Sequence, residues 1–122
     1  MTQPANSRPI FHIVAEPDWR AAERDGQYRP ASLAEQGFVH FSYAGQVERT
    51  ANLLYRDRDE LLVVEFAPDR LTAPVIDEDL YDAGEEFPHV YAPIPVTAAV
   101  AEHRLRRDAN GDHRFQVPGQ PG

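Results

Sequence analysis

The hydrophobic and polar positions of the chain follow two periodicities, one typical of strands and one typical of helices. The run Ile10-Phe11-His12-Ile13-Val14 predicts the first strand. Residues 16–26 carry a proline in the first turn, early acidic residues, a later arginine and a closing glycine, which together predict a helix. The apolar run from Leu61 to Phe66 is bounded by charged residues and Pro68, and it predicts a central strand.

A second amphipathic stretch, residues 46–56, predicts a helix of roughly three turns. Its Val47, Ala51 and Leu54 recur at helical spacing, so we expect all three to face the core. The residues that follow, 56–60, are all charged and predict a solvated loop.

Between these helices lies a short polar segment followed by a strand-like run. Residues 27–31 are expected to form a connector, and Ser32 with Glu35 matches a capping box at the start of a short helix. Gly37 is expected to end that helix, and residues 38–42 to form the second strand. Strand alternation puts Phe38, His40 and Ser42 on one face and Val39 and Phe41 on the other.

The second half of the chain is mostly strand-like. Short strands are predicted at Val75-Ile76 and at Phe87-Pro88-His89-Val90-Tyr91, separated by an acidic loop at 77–86. Asn110-Gly111 indicates a hairpin that pairs residues 100–107 with residues 113–117, where His103 and His113 are expected at exposed sheet positions. Helices in the first half and strands in the second predict an α+β fold with a mixed, largely antiparallel split sheet.

The length of 122 residues fits one domain, which we place at residues 10–117. Residues 1–9 are expected to be a flexible N-terminal arm and residues 118–122 a flexible tail. No apolar run approaches the roughly 20 residues of a membrane helix. The polar N-terminus lacks the apolar segment of a secretory signal, so we expect a cytoplasmic location and no membrane partner.

Composition excludes several kinds of chemistry. The sequence has no cysteine, so disulfides, thiolate nucleophiles and zinc–thiolate sites are excluded. All 12 basic residues are arginine, which excludes a lysine Schiff base and a phosphate-loop lysine. The formal net charge of −8 argues against bulk nucleic-acid binding, although a few arginines in a pocket can still hold a phosphate.

Three predicted strands each carry a histidine where valine or threonine is more usual: His12, His40 and His89. They predict a shared site, because a core gains little from repeated titratable groups. Two alternatives stay open. Each imidazole can be a half-buried group bonded to a backbone carbonyl, or the three can form a metal site.

Other side chains join these histidines as candidates. Ser42 lies on the same strand face as His40 and is either catalytic or a helix cap. A glutamate just before His89 can act as a base or stabilise a cation, or it can belong to a solvated acidic loop. The candidate catalytic residues are His12, His40, Ser42, His89 and Glu86. The candidate cofactor-binding residues are His12, Ser42, Gln46, Tyr91, Trp19 and Tyr28, and no metal ligand is assigned.

These residues also carry a family resemblance. The chain resembles the bacterial domain-of-unknown-function family 952 from about Ile10 to Phe115, with Ala92 where that family usually has glycine. The motifs that carry it are Ile-Phe-His-Ile at 10–13, Trp19, Tyr28 with Ser32-Leu33, residues 37–42, Gln46, Thr50-Ala51 and residues 87–91. The family has no established activity.

The resemblance implies a fold similar to that of ADP-ribosyltransferases and tRNA 2′-phosphotransferases, whose cleft binds NAD. By this resemblance His12 matches the residue that holds a ribose. Ser42 with His40 matches a later strand that supplies a hydroxyl or aromatic residue. A third role belongs to a glutamate that is missing from the motif at 87–91, and Glu86 lies just outside it. We therefore expect an NAD-like or ADP-ribose-like ligand in the cleft, in an enzyme, a former enzyme or a non-catalytic ligand- or protein-binding module.

Overall fold

The computed structural model describes residues 8–117. Residues 1–7 of the predicted arm and the whole predicted tail lie outside the described residues. The elements in chain order are β1 (Ile10–Ala15), α1 (Glu16–Asp25), β2 (Gln27–Tyr28), α2 (Ala31–Gln36), β3 (Val39–His40), α3 (Val47–Leu54), β4 (Leu61–Phe66), β5 (Val75–Glu78), β6 (Phe87–Val90), β7 (Ile94–Pro95), β8 (Ala99–Arg104), β9 (Arg106–Arg107) and β10 (His113–Arg114).

Two three-stranded sheets position the site. The first has the order β1-β4-β8 and the second the order β3-β6-β5, and every neighbouring pair is antiparallel. Phe11 and Ser42 join the two sheets by exchanging two backbone N–H to carbonyl bonds of 2.8 Å. Two-stranded ladders β2-β7 and β9-β10 complete the sheets of the described residues. The α+β, largely antiparallel prediction is confirmed.

The first sheet is buried on both faces, which explains why β4 is almost continuously apolar. On one face α1 contributes Trp19 and Ala22 to the core, and on the other α3 contributes Val47 and Ala51. Full burial of an aliphatic or aromatic side chain is worth about 1.5–3 kcal/mol. The prediction that residues 61–66 form the central strand is confirmed by this position between β1 and β8.

The helix predicted at residues 16–26 is confirmed almost to the residue. Pro17 lies in its first turn, where no intrahelical hydrogen bond is lost. Gly26 ends it with φ of 93°, a backbone angle that favours glycine.

Local predictions around the short elements are partly wrong. The capping box fails because α2 already begins at Ala31 after Pro30, which leaves Ser32 inside the first turn without a capping bond. The predicted connector contains β2, which pairs with β7. The strand predicted at 38–42 is regular only over β3.

Three side chains also lie differently from their predictions. Leu54 is 63% exposed because α3 ends there, beyond the sheet that covers Val47 and Ala51. His113 is buried rather than exposed, since α3 covers it and its Nε2 lies 2.8 Å from the Tyr55 carbonyl. His103 is half-buried beside Glu65.

Candidate functional site

A cleft of about 930 Å³ lies where β1 meets β3, beneath α3 and the loop before β6. Side chains from these elements give it a mixed polar and aromatic wall. Those used below are His12, Tyr28, His40, Ser42, Arg49, Tyr55, Arg58, Tyr81, Glu85 and Phe87.

His12 projects from β1 and is held by both ring nitrogens. Its Nδ1–H donates to the His40 carbonyl at 2.6 Å, because a carbonyl oxygen can only accept. Nε2 of the neutral ring therefore accepts from the Tyr28 hydroxyl at 2.7 Å. Burial lowers the pKa of His12 to about 4, which keeps the imidazole neutral at physiological pH. His12 is thus a fixed, neutral imidazole at the cleft wall.

His40 projects from β3 and has partners on both sides. Its Nε2 lies 2.7 Å from Gln36 Oε1 at the end of α2, and its Nδ1 contacts the Tyr81 hydroxyl. Burial, and then the nearby His89, lower the pKa of the His40 imidazole.

His89 lies directly opposite His40 in the β3–β6 ladder, with ring centroids 5.5 Å apart. It is fully buried, its Nδ1 is 2.9 Å from Glu78 Oε1, and its Nε2 is 3.0 Å from the Tyr81 hydroxyl. Hydrogen bonds from Tyr91 and then from His89 lower the pKa of Glu78, so this carboxylate stays ionised. Glu78 therefore orients the His89 ring, with Nδ1–H as the donor.

The Tyr81 hydroxyl connects the two histidines of β3 and β6. Burial, and then the nearby Glu78, raise the pKa of this phenol to about 12. We call the series Gln36, His40, Tyr81, His89 and Glu78 the hydrogen-bond chain. Tyr81 and His40 line the cleft, whereas His89 lies behind them.

Ser42 is almost fully buried, and its hydroxyl is 3.5 Å from Thr50 Oγ1, a long hydrogen bond. Within residues 8–117, no histidine accepts a hydrogen bond from Ser42. The hydroxyl lines the cleft without the imidazole partner that an activated serine nucleophile requires.

Of the two glutamates that precede His89 in the sequence, Glu85 rather than Glu86 lines the cleft. Glu85 lines the cleft in an ion pair with Arg49 of α3. Glu86 instead lines a separate pocket of about 390 Å³, where its carbonyl accepts from Gln46 Nε2 at 2.8 Å.

Trp19 and Tyr91 also lie outside the cleft. Trp19 is 1% exposed in the core, and its Nε1–H donates to Glu102 at 3.2 Å. Tyr91 is exposed and donates to Glu78 Oε1 at 2.6 Å, so it supports the hydrogen-bond chain from outside.

The structure thus brings His12, His40, Ser42 and Tyr28 together in one cleft and puts His89 immediately behind it. Glu78 and Tyr81 were missed because the sequence placed both in an acidic surface loop. Glu78 is the last residue of β5, which extends the predicted short strand at Val75-Ile76 by two residues.

The three-histidine metal site has no support in the described residues. Residues 8–117 contain no group of three or more histidine, cysteine, aspartate or glutamate side chains arranged to hold a metal ion. The ring nitrogens of the candidate histidines are instead engaged in hydrogen bonds. In the same range, no helix is long and apolar enough to cross a membrane.

The comparisons with known proteins give one family and one fold. Residues 13–102 match a family model described as "Protein of unknown function (DUF952)". A crystal structure of protein CC0527 from Caulobacter crescentus is similar, with a TM-score of 0.76, 28% sequence identity, and coverage of 87% of this chain and 93% of that chain. The solution NMR structure of CC0527 gives a TM-score of 0.68 at 27% identity, over 85% of this chain and 90% of that chain. No curated protein shows significant similarity to the chain.

Proposed function

This chain belongs to the DUF952 family of proteins of unknown function, and we propose that its cleft binds a nucleotide or ADP-ribose-like ligand. The main support is the cleft itself, in which a fixed imidazole, a buried hydroxyl and two arginines face one volume of about 930 Å³. Small-molecule sites typically have volumes of about 300–1,000 Å³ with a few convergent polar groups.

His12 is suited to recognise a ribose. Its Nδ1–H is fixed on the His40 carbonyl, so Nε2 is presented as an acceptor. A ribose hydroxyl that replaces the Tyr28 hydroxyl as the donor to Nε2 gains a partner of defined direction. Tyr28 and Ser42 then supply further hydroxyl groups close to the sugar.

Arg49 and Arg58 supply positive charge for phosphate oxygens. Both line the cleft, and guanidinium groups bind phosphate through paired donors. Tyr55 and Phe87 line the same cleft and offer flat surfaces to a base. A ligand with ribose, phosphate and an aromatic ring matches this set better than a purely apolar one.

Two features support a relation to ADP-ribosyl or 2′-phosphate transfer. The two three-stranded sheets meet at the Phe11–Ser42 pair, which resembles the split sheet of the ADP-ribosylation fold. Glu85 supplies a cleft carboxylate that can stabilise a cationic ribose in a transition state once Arg49 turns to the phosphate. In an enzymatic version of this cleft, Glu85 takes the role that the sequence assigned to Glu86.

Calorimetric titration with NAD, ADP-ribose and 2′-phosphorylated RNA ends tests the proposal. We expect binding of at least one of them, weakened about fivefold to tenfold in His12→Ala through the loss of one directed hydrogen bond. His103→Ala is the matched control, because His103 pairs with Glu65 and does not line the cleft. If none of the three ligands gives a heat of binding at millimolar concentration, the nucleotide proposal is wrong.

A non-catalytic ligand- or protein-binding module is the second candidate. It is favoured by the internal hydrogen bonds of His12 and His40, which engage both described imidazoles of the cleft before a ligand arrives. Chromatography of each ligand after prolonged incubation separates the two candidates. Binding with no product supports the module, and product formation that Glu85→Gln abolishes supports the enzyme.

A further inference from the structure

The hydrogen-bond chain contains four consecutive contacts. Gln36 Oε1 is 2.7 Å from His40 Nε2, and His40 Nδ1 contacts the Tyr81 hydroxyl. The same hydroxyl is 3.0 Å from His89 Nε2, and His89 Nδ1 is 2.9 Å from Glu78 Oε1. Each contact needs one hydrogen atom between its two heavy atoms.

The neutral groups supply too few protons for these contacts. An amide oxygen and a carboxylate stand at the two ends, and neither brings a proton. Two neutral imidazoles and one phenol bring three protons to four contacts. In the neutral state the Tyr81 hydroxyl can donate to only one of the two ring nitrogens beside it, so the other contact has two acceptors and no hydrogen. One added proton gives every contact a donor.

The ionised Glu78 carboxylate is the counter-charge for that proton. Its pKa is lowered by Tyr91 and His89, so it remains negative at one end of the hydrogen-bond chain. Burial nevertheless lowers the pKa of His40, which disfavours the added proton while the cleft is empty. The proton belongs to the connected groups as a unit rather than to one ring.

The charged groups that line the cleft bear on this balance. Arg49 and Arg58 line the cleft and oppose a further positive charge, while Asp18 and Glu85 line it and favour one. His12, close to His40, is neutral. An anion bound beside His40 and Tyr81 adds negative charge where both side chains face the cleft, and it raises the proton affinity there.

We propose that the cleft binds its anionic ligand together with one proton, which is taken up from solvent and held between His40, Tyr81 and His89. This inference rests on the proposed function, because it takes the ligand to carry phosphate-type oxygens. No covalent bond forms or breaks: solvent supplies the proton, and an imidazolium paired with Glu78 carries it.

Calorimetry in two buffers of different ionisation enthalpy measures the proton directly. We expect ADP-ribose, whose diphosphate does not titrate near neutral pH, to bind at pH 7 with uptake of about one proton per ligand. Inorganic sulfate, which also stays fully ionised at that pH, is the second probe and tests the anion without ribose or base. Adenosine is the uncharged comparison and is expected to bind without proton uptake.

Tyr81→Phe removes the hydroxyl that links the two imidazoles, so proton uptake should fall towards zero. The substituted side chain lies on an exposed loop, and the variant should therefore fold. Tyr43→Phe is the matched control, because Tyr43 lies outside the cleft and outside the hydrogen-bond chain and its hydroxyl donates to Asp77 at 2.6 Å, so uptake should persist in it.

The outcomes separate this inference from the proposed function. Binding of ADP-ribose without proton uptake overturns the inference and leaves the proposed function standing, as expected if the Gln36 amide presents its NH₂ to His40. Sulfate binding with proton uptake, without binding of any nucleotide, supports the inference and overturns the nucleotide proposal. Failure of sulfate and of all three nucleotide ligands to bind overturns both.

Discussion

At the scale of single residues, the most informative side chain is His12. A histidine in a strand can be recognised from the sequence, but its tautomer depends on two partners, His40 and Tyr28, that lie far from it in the chain. Side-chain alternation predicted which face of the strand His40 occupies. It could not predict Tyr81 beside His40, because that contact is made by a loop with no periodic pattern.

The low pKa of His12 makes stability depend on pH. The folded state keeps the imidazole neutral down to about pH 4, whereas the unfolded chain takes up the proton near pH 6.5. The unfolded state therefore binds more protons in this window, and the free energy of unfolding falls as the pH drops from 6.5 to 4. The loss from this residue should be about 2–3 kcal/mol.

Urea denaturation of the wild type and His12→Gln at pH 7, 5.5 and 4.5 measures this loss. The variant carries no group that titrates at this position, so its stability should vary less with pH over the same interval. Equal pH dependence in the two proteins would contradict a buried neutral His12.

At the scale of elements, helix α1 is fixed to the first sheet through Trp19. The side chain is fully buried and its Nε1–H reaches Glu102 on β8, while Arg20 binds the same carboxylate at 2.8 Å. The sequence made Trp19 a candidate cofactor contact. Its location in the core fits a structural role.

Trp19→Ala should destabilise the protein by about 3–5 kcal/mol, the usual cost of deleting a large buried aromatic side chain. Trp19→Phe should cost less and leave ADP-ribose affinity unchanged, because the residue does not line the cleft. Thermal unfolding followed by circular dichroism, together with calorimetry, measures both effects. A large loss of affinity in a folded Trp19→Phe protein would show that Trp19 contributes to ligand binding.

Elements with strong patterns were predictable, and the pairings between them were only partly so. The apolar run at 61–66 and the caps of α1 are local signals that the fold preserves. The two-residue strands β2 and β7 exist only because tertiary contacts bring them together. The start of α2 was mispredicted, since the helix begins after Pro30 rather than at the apparent cap Ser32.

At the scale of the whole molecule, charge decides which ligands can approach. The chain carries a net charge of −8, so an anionic ligand is repelled on average. Arg49 and Arg58 place positive charge at the cleft despite this background. Composition predicted the acidic surface, but the gathering of two arginines at one cleft depends on how α3 and the loop after it pack.

Arg58→Gln should weaken ADP-ribose binding about fivefold to tenfold, because one charge-assisted contact to phosphate is lost. Arg70→Gln, on a surface turn away from the cleft, removes the same charge from the molecule and should have little effect. Calorimetry at two salt concentrations measures both variants. Equal weakening would mean that only net charge matters, and that Arg58 makes no direct contact.

The backbone pair between Phe11 and Ser42 has a consequence for how a ligand enters. Two hydrogen bonds of 2.8 Å join the sheets at the base of the cleft, and the His12 ring adds a third bond to the His40 carbonyl. Parting the walls would break all three at once, at a net cost of about 1 kcal/mol each. These bonds hold the β1 and β3 walls together, so a ligand that fits between them loses little affinity to movement of these two strands.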